Sequence, residues 1–200
     1  MVDRGVEADI AFIRNTLEEG RAYARRRSPD MAVWGLFVAA GYLATYAYVR
    51  HWSPVEPGMV WLAAIAIPWI YSLRRWWLGL FGMPVPAQAA SPMARAFAML
   101  WLGCGISLMT LAVAANWGGV PGYHWYDAAA ACILAIAFFA GSFLTNVVWL
   151  RLVAVAWWIS AFVLYGLRNG EAVLLLGAAM MLAFLATPGL LLFLSGRNAK

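Results

Sequence analysis

Charged residues are scarce in this sequence, and their scarcity limits the class of protein it encodes. Only 12% of the 200 residues are charged, whereas 64% are hydrophobic. Soluble domains are about a quarter charged, so the composition excludes an ordinary soluble domain and indicates an integral membrane protein. The net charge of +5 does not indicate direct nucleic-acid binding, because the arginines fall where membrane topology favours positive charge.

Ionisable side chains are missing from the centres of the long apolar runs. No Asp, Glu, Lys or His lies there, although proton relays, ion-coupled transporters and voltage sensors need such groups at depth. The absence of His also argues against a haem-bearing bundle. The polar groups that do lie at depth are mild and are interpreted as interhelical hydrogen-bonding groups. They are Tyr42, Thr45, Tyr46, Tyr71, Ser107, Thr110, Ser160, Tyr165 and Thr187.

Sequence motifs for catalysis and cofactor binding are absent as well. Cys104 and Cys132 lie in apolar runs without metal-ligand spacing. There is no Walker loop, dinucleotide fingerprint, HExxH or GxSxG. We therefore expect no enzymatic activity and no cofactor.

Six apolar runs of near-spanning length are present, which predicts an all-α polytopic membrane protein with six transmembrane helices in three hairpins. The runs cover residues 31–49, 58–73, 96–115, 128–143, 147–167 and 172–194. Placing both termini in the cytoplasm puts twelve Arg and Lys residues inside and only Arg50 and Arg168 outside. The predicted organisation is a cytoplasmic helix and linker (1–30), a six-helix bundle in the bacterial inner (plasma) membrane (31–196), and a cytoplasmic tail (197–200).

The first segment reads as an amphipathic cytoplasmic helix over residues 3–27. Its large apolar residues recur at spacings of four, three and four and form a seam, which consists of Val6, Ile10, Ile13 and Leu17. The sequence Ser28-Pro29-Asp30 predicts a break before the first membrane helix, with Asp30 as its N-cap. A bare seam of four large apolar residues is unfavourable in water, so we predict that it docks a second copy or a protein partner.

Both histidines are predicted on the outer face, together with carboxylates. His51 and Glu56 lie in the first outer loop, and His124 and Asp127 lie in the second. Imidazole and carboxylate groups on one face could bind a divalent metal ion or form a polar mouth for a ligand. The alternative is a set of separate solvated loop residues, since no pair has the spacing of a metal motif.

The N-terminal region resembles a group of small bacterial six-helix membrane proteins that have an N-terminal amphipathic cytoplasmic helix. The resemblance lies in Ala8-Asp9-Ile10-Ala11-Phe12-Ile13-Arg14, Leu17-Glu18-Glu19-Gly20-Arg21 and Val33-Trp34-Gly35. Such proteins are often encoded beside DNA-binding regulators. The resemblance implies a membrane-embedded regulatory or sensory protein, with a DNA-binding regulator among its candidate partners. The alternative function is a small-molecule carrier, such as the substrate-capture subunit of a transporter.

The predicted topology can be tested by labelling single engineered cysteines from outside intact cells. With both termini in the cytoplasm, cysteines at Gly119 and Asn169 should react, and a cysteine at Gln88 should not. The single cysteines are introduced into a variant in which Cys104 and Cys132 are replaced by serine. Labelling of Gln88 from outside would disprove the topology.

Overall fold

The described part of the chain, residues 3–81, 92–117, 124–167 and 170–197 of a computed structural model, contains helices and no strand. The elements are α1 (Asp3–Val49), α2 (Pro57–Phe81), α3 (Pro92–Trp117), α4 (His124–Thr145), α5 (Leu150–Gly166), α6 (Ala172–Met181), a π-helical turn (Leu182–Ala186) and α7 (Thr187–Arg197). The last three elements follow one another directly, and we call them together the C-terminal helix. The all-α class predicted from the sequence is confirmed.

Four of the described helices are long and apolar enough to cross a membrane. They contain the segments Val6–Val49, Arg95–Ala115, Trp125–Thr145 and Ala172–Ser195. Two other helices are not among these four. α5 is apolar but has only 17 residues, and the apolar sequence of α2 is interrupted by two prolines and two arginines. The positions chosen for cysteine labelling, Gln88, Gly119 and Asn169, lie outside the described residues.

The break predicted at Ser28-Pro29-Asp30 is wrong, because α1 runs unbroken from Asp3 to Val49 with Pro29 inside it. Proline has no N–H, so the carbonyl four residues earlier, that of Arg25, loses its normal helical donor. The Ser28 hydroxyl donates to that carbonyl at 2.7 Å and replaces the missing bond. Asp30 is therefore not an N-cap, and it forms an ion pair with Arg27 at 3.2 Å.

α1 is the central helix of the bundle. It packs against α2, α3, α4 and all three parts of the C-terminal helix, while α5 packs mainly against α4. The predicted series of three hairpins is not confirmed. α1 and α2 are neighbours, as are α3 and α4, but α5 has few contacts with α6.

The helices define two ends of the bundle. At one end, α1 finishes and α2, α4 and α6 begin; we call this the His51 end. At the other, α4 finishes and α5 begins, next to Gly20 of α1; we call this the Arg151 end.

Three glycines allow α1 and the C-terminal helix to approach closely, two of them backbone to backbone. A Cβ atom built on Gly35 would lie 2.5 Å from the Ala186 amide nitrogen, and one built on Gly189 would lie 2.6 Å from the Ala32 nitrogen. A Cβ atom on Gly177 would meet the Tyr42 ring at 2.8 Å. Small residues permit such close helix packing in membrane proteins.

The π-helical turn and Pro188 lie beside this contact. Pro188 leaves the Phe184 carbonyl without its helical donor, and the indole Nε1 of the buried Trp157 on α5 donates to that carbonyl at 3.2 Å. The Thr187 hydroxyl donates to the Leu182 carbonyl at 2.8 Å. The interruption of the last helix near Pro188 thus takes the form of a π-helical turn in which side chains donate to the carbonyls of Leu182 and Phe184.

Gly35→Ala should destabilise the bundle, because the new methyl group would collide with the backbone of Ala186. We expect overpacking to cost about 1–3 kcal/mol or more, against a gain of about 1 kcal/mol from helix propensity. The matched control is Gly103→Ala, where a Cβ atom would meet nothing within 4 Å. Thermal unfolding in detergent, followed by circular dichroism, should show a lower Tm for Gly35→Ala and an equal or higher Tm for the control. Equal behaviour of the two variants would contradict the close approach.

Candidate functional site

A partly buried hydrogen bond to a carboxylate joins α1 to α4 at the His51 end. The Tyr42 hydroxyl donates to Asp127 Oδ1 at 2.5 Å, although the two residues are 85 positions apart. Tyr42 is 7% exposed and lies against Gly177 of the C-terminal helix. Asp127 lies in the first turn of α4, where a negative charge is stabilised by the helix dipole. Asp127, predicted as a loop residue, is thus part of an interhelical contact.

Further polar contacts surround this one. The Trp61 indole of α2 donates to the Thr45 hydroxyl at 3.0 Å, and its ring meets the Tyr42 ring edge-on at 5.1 Å. Arg50 at the end of α1 forms an ion pair with Glu171 at 3.4 Å. The predicted interhelical role is confirmed for Tyr42 and Thr45, and four helices meet at this end. It is wrong for three other hydroxyls, which donate to carbonyls of their own helices: those of Ser107, Thr110 and Ser160.

His51 has a structural role at the end of α1. Its φ of 58° places it in the left-handed region, and the Trp52 amide donates to the Ala47 carbonyl at 2.8 Å. This is the Schellman arrangement that ends many helices. His51 therefore turns the chain out of α1 and leaves its imidazole exposed.

The proposed metal site of His51, Glu56, His124 and Asp127 gains no support from the geometry. Glu56 is exposed, and Asp127 is engaged by Tyr42. Within the described part of the chain, no three His, Cys, Asp or Glu side chains are placed to hold a metal ion. The His124 side chain lies outside that part, so the four-residue site stays a prediction.

The seam on α1 is exposed. Val6 is 51% exposed, Ile10 60% and Ile13 58%, while Leu17 is half-buried. Further along the same helix face, the residues at spacings of three and four are buried in the bundle: Gly20, Ala24, Ser28, Met31, Gly35, Ala39 and Tyr42. The seam is thus the uncovered continuation of the face by which α1 packs in the bundle.

Comparison with known proteins gives no relative for this chain. No family model, curated protein or solved structure matches it.

The Tyr42–Asp127 contact can be measured with a double-mutant cycle of Tyr42→Phe and Asp127→Asn. Each single variant leaves a polar group poorly paired and should cost about 1–3 kcal/mol, and the pair should show a coupling energy of about 0.5–3 kcal/mol. Tyr48→Phe, at an exposed position of α1, is the control and should change little. Additive single effects in chemical or thermal unfolding would show that the two groups do not stabilise each other.

Proposed function

We propose that this chain is a membrane-embedded regulatory or sensory protein whose projecting helix docks a second copy or a protein partner. In this proposal six helices cross the bacterial inner membrane and both termini are cytoplasmic, which agrees with the charge distribution. The observation that carries the proposal is the uncovered seam, because it extends a face that is otherwise buried in the bundle.

The unbroken backbone of α1 supplies a physical link between the two ends. The same helix carries Tyr42, bonded to Asp127 at the His51 end, and the seam beyond the Arg151 end. A displacement of α1 at one end would therefore move the seam, with no flexible linker to absorb it. This is the mechanical property that a sensor with a cytoplasmic output needs.

Covering the seam is favourable. Burying a large apolar side chain is worth roughly 1.5–3 kcal/mol. Docking of the seam has no cost of helix nucleation, because the seam belongs to α1, which is helical from the bundle through residues 6–17. These two points support docking on protein, and they favour a partner that presents a helix of matching spacing.

A second copy supplies such a helix in the correct orientation. Two copies in one membrane present their seams in parallel, with Asp9 just before Ile10 and Arg14 just after Ile13. These are the flanking positions at which parallel coiled coils form interchain ion pairs, so Asp9 of each copy would face Arg14 of the other. Within one chain Arg14 pairs with Glu18, and both side chains are exposed. Replacing this exposed ion pair by one between two copies therefore costs little.

Ile10→Asp combined with Ile13→Asp should abolish association while the bundle remains inserted and folded. The control is Ala11→Asp with Asn15→Asp, which adds the same charges to exposed positions of α1 that lie off the seam. Oligomeric state in nanodiscs, measured by light scattering, and co-purification from cells are the readouts. An unchanged oligomeric state and unchanged partner recovery in the seam variant would refute the docking role.

A charge exchange distinguishes a second copy from a different partner. Asp9→Arg alone and Arg14→Asp alone should each weaken self-association, because like charges then face each other across the seam. The double exchange should restore self-association. If neither single variant changes self-association but the seam aspartates still abolish partner recovery, the occupant is another protein.

A further inference from the structure

A basic cleft lies at the Arg151 end, between α1 and the α4–α5 turn. It has a volume of about 720 Å³ and is open to the surface. Its described lining consists of Arg21, Arg25, Asn146, Val147, Val148, Trp149, Arg151 and Leu152. Three arginines therefore converge on one cleft, and none of the described lining residues is acidic.

The α4–α5 turn shapes the cleft and holds one of its arginines. Asn146 has a φ of 51°, and the Val147 amide donates to the Ser142 carbonyl at 3.1 Å, which is again a Schellman ending. This turns the Asn146 carbonyl towards α1, where it accepts a hydrogen bond from Arg21 Nη2 at 3.2 Å.

Arg151 is held by a second contact and keeps an unused donor. Its guanidinium carbon lies 4.3 Å from the centroid of the Phe143 ring. Its Nε is buried and has no hydrogen-bond partner among the described residues. This nitrogen has no surface that a ligand in the cleft could reach, so what favours an anion is the charge of Arg151, which no acidic residue of the described lining neutralises.

A cleft lined by three arginines suits an anion with several oxygen atoms. Guanidinium groups bind phosphate through paired N–H donors, and three of them around one space suit a phosphate group better than a single carboxylate. We infer that the cleft formed by Arg21, Arg25 and Arg151 binds the phosphate group of an anionic ligand.

The rim of the cleft favours a phospholipid as the source of that phosphate. Val148 is 60% exposed and Leu152 is 73% exposed, so apolar surface adjoins the arginines. The apolar segment of α4, Trp125–Thr145, has 21 residues and is about 30 Å long, the thickness of the hydrocarbon layer. The cleft begins where this segment ends, which is the depth of headgroups. The lipid source rests on the proposed membrane insertion, whereas the phosphate site does not.

The test measures binding of phosphatidylglycerol to the full-length protein purified in a neutral detergent, by native mass spectrometry. Phosphatidylcholine is the neutral comparison, and inorganic pyrophosphate is the soluble competitor. The variants are Arg25→Gln alone and Arg21→Gln with Arg151→Gln. The matched control is Arg26→Gln, which removes the same charge from the same turn of α1 outside the cleft lining.

Phosphatidylglycerol should bind more tightly than phosphatidylcholine, and the cleft variants should weaken it by about tenfold or more. The Arg26 control should stay within about twofold. If the lipid stays bound in the presence of pyrophosphate, the source of the phosphate is a lipid headgroup. If pyrophosphate displaces the lipid and also binds when no lipid is present, the source is a soluble phosphate. Either result supports the site.

Equal losses in the control and the cleft variants, or no loss in Arg25→Gln, would overturn the inference. Arg25→Gln decides the matter if the double variant misfolds, because no described residue hydrogen-bonds its side chain. Failure of this test leaves the seam experiment unaffected, since the two use different residues and different readouts.

Discussion

The backbone contact between α1 and the C-terminal helix is the constraint on which the rest of the bundle depends. At Gly35 and Gly189 there is no room even for a methyl group, so the two helices are packed backbone to backbone. This contact places Tyr42 against Gly177 and within reach of Asp127. The other helices are then arranged around a fixed pair, which suits a medium where packing, rather than the hydrophobic effect, holds helices together.

Helix content, the apolar segments and the turn at Asn146 could be predicted from the sequence, because they follow from hydrophobic run length and local turn chemistry. The continuity of α1 could not. Pro29 is a helix breaker by the general rule, and only the structure reveals that Ser28 supplies a replacement hydrogen bond. Trp157, which lies on a different helix, donates a replacement hydrogen bond to the Phe184 carbonyl, which Pro188 leaves without its helical donor.

A candidate site could be predicted from the sequence when its residues lie in one short segment, and not when they come from distant segments. The seam could be identified because its period lies within one helix, and its docking role stays a prediction. The Tyr42–Asp127 contact and the arginine cleft join distant parts of the chain, so no spacing rule indicates them. His51 is a candidate ligand by residue type, yet its backbone angle explains its position at the end of α1.

The close contact of α1 with the C-terminal helix also has a consequence for biosynthesis. α1 is synthesised long before the C-terminal helix, so the face of α1 that carries Gly35 stays uncovered until residues 172–197 have left the ribosome. Contacts between such distant segments form slowly, because a long loop must close first. Synthesis of the C-terminal helix is therefore the event that covers this face, and a chain that ends before Ala172 would leave this face of α1 exposed.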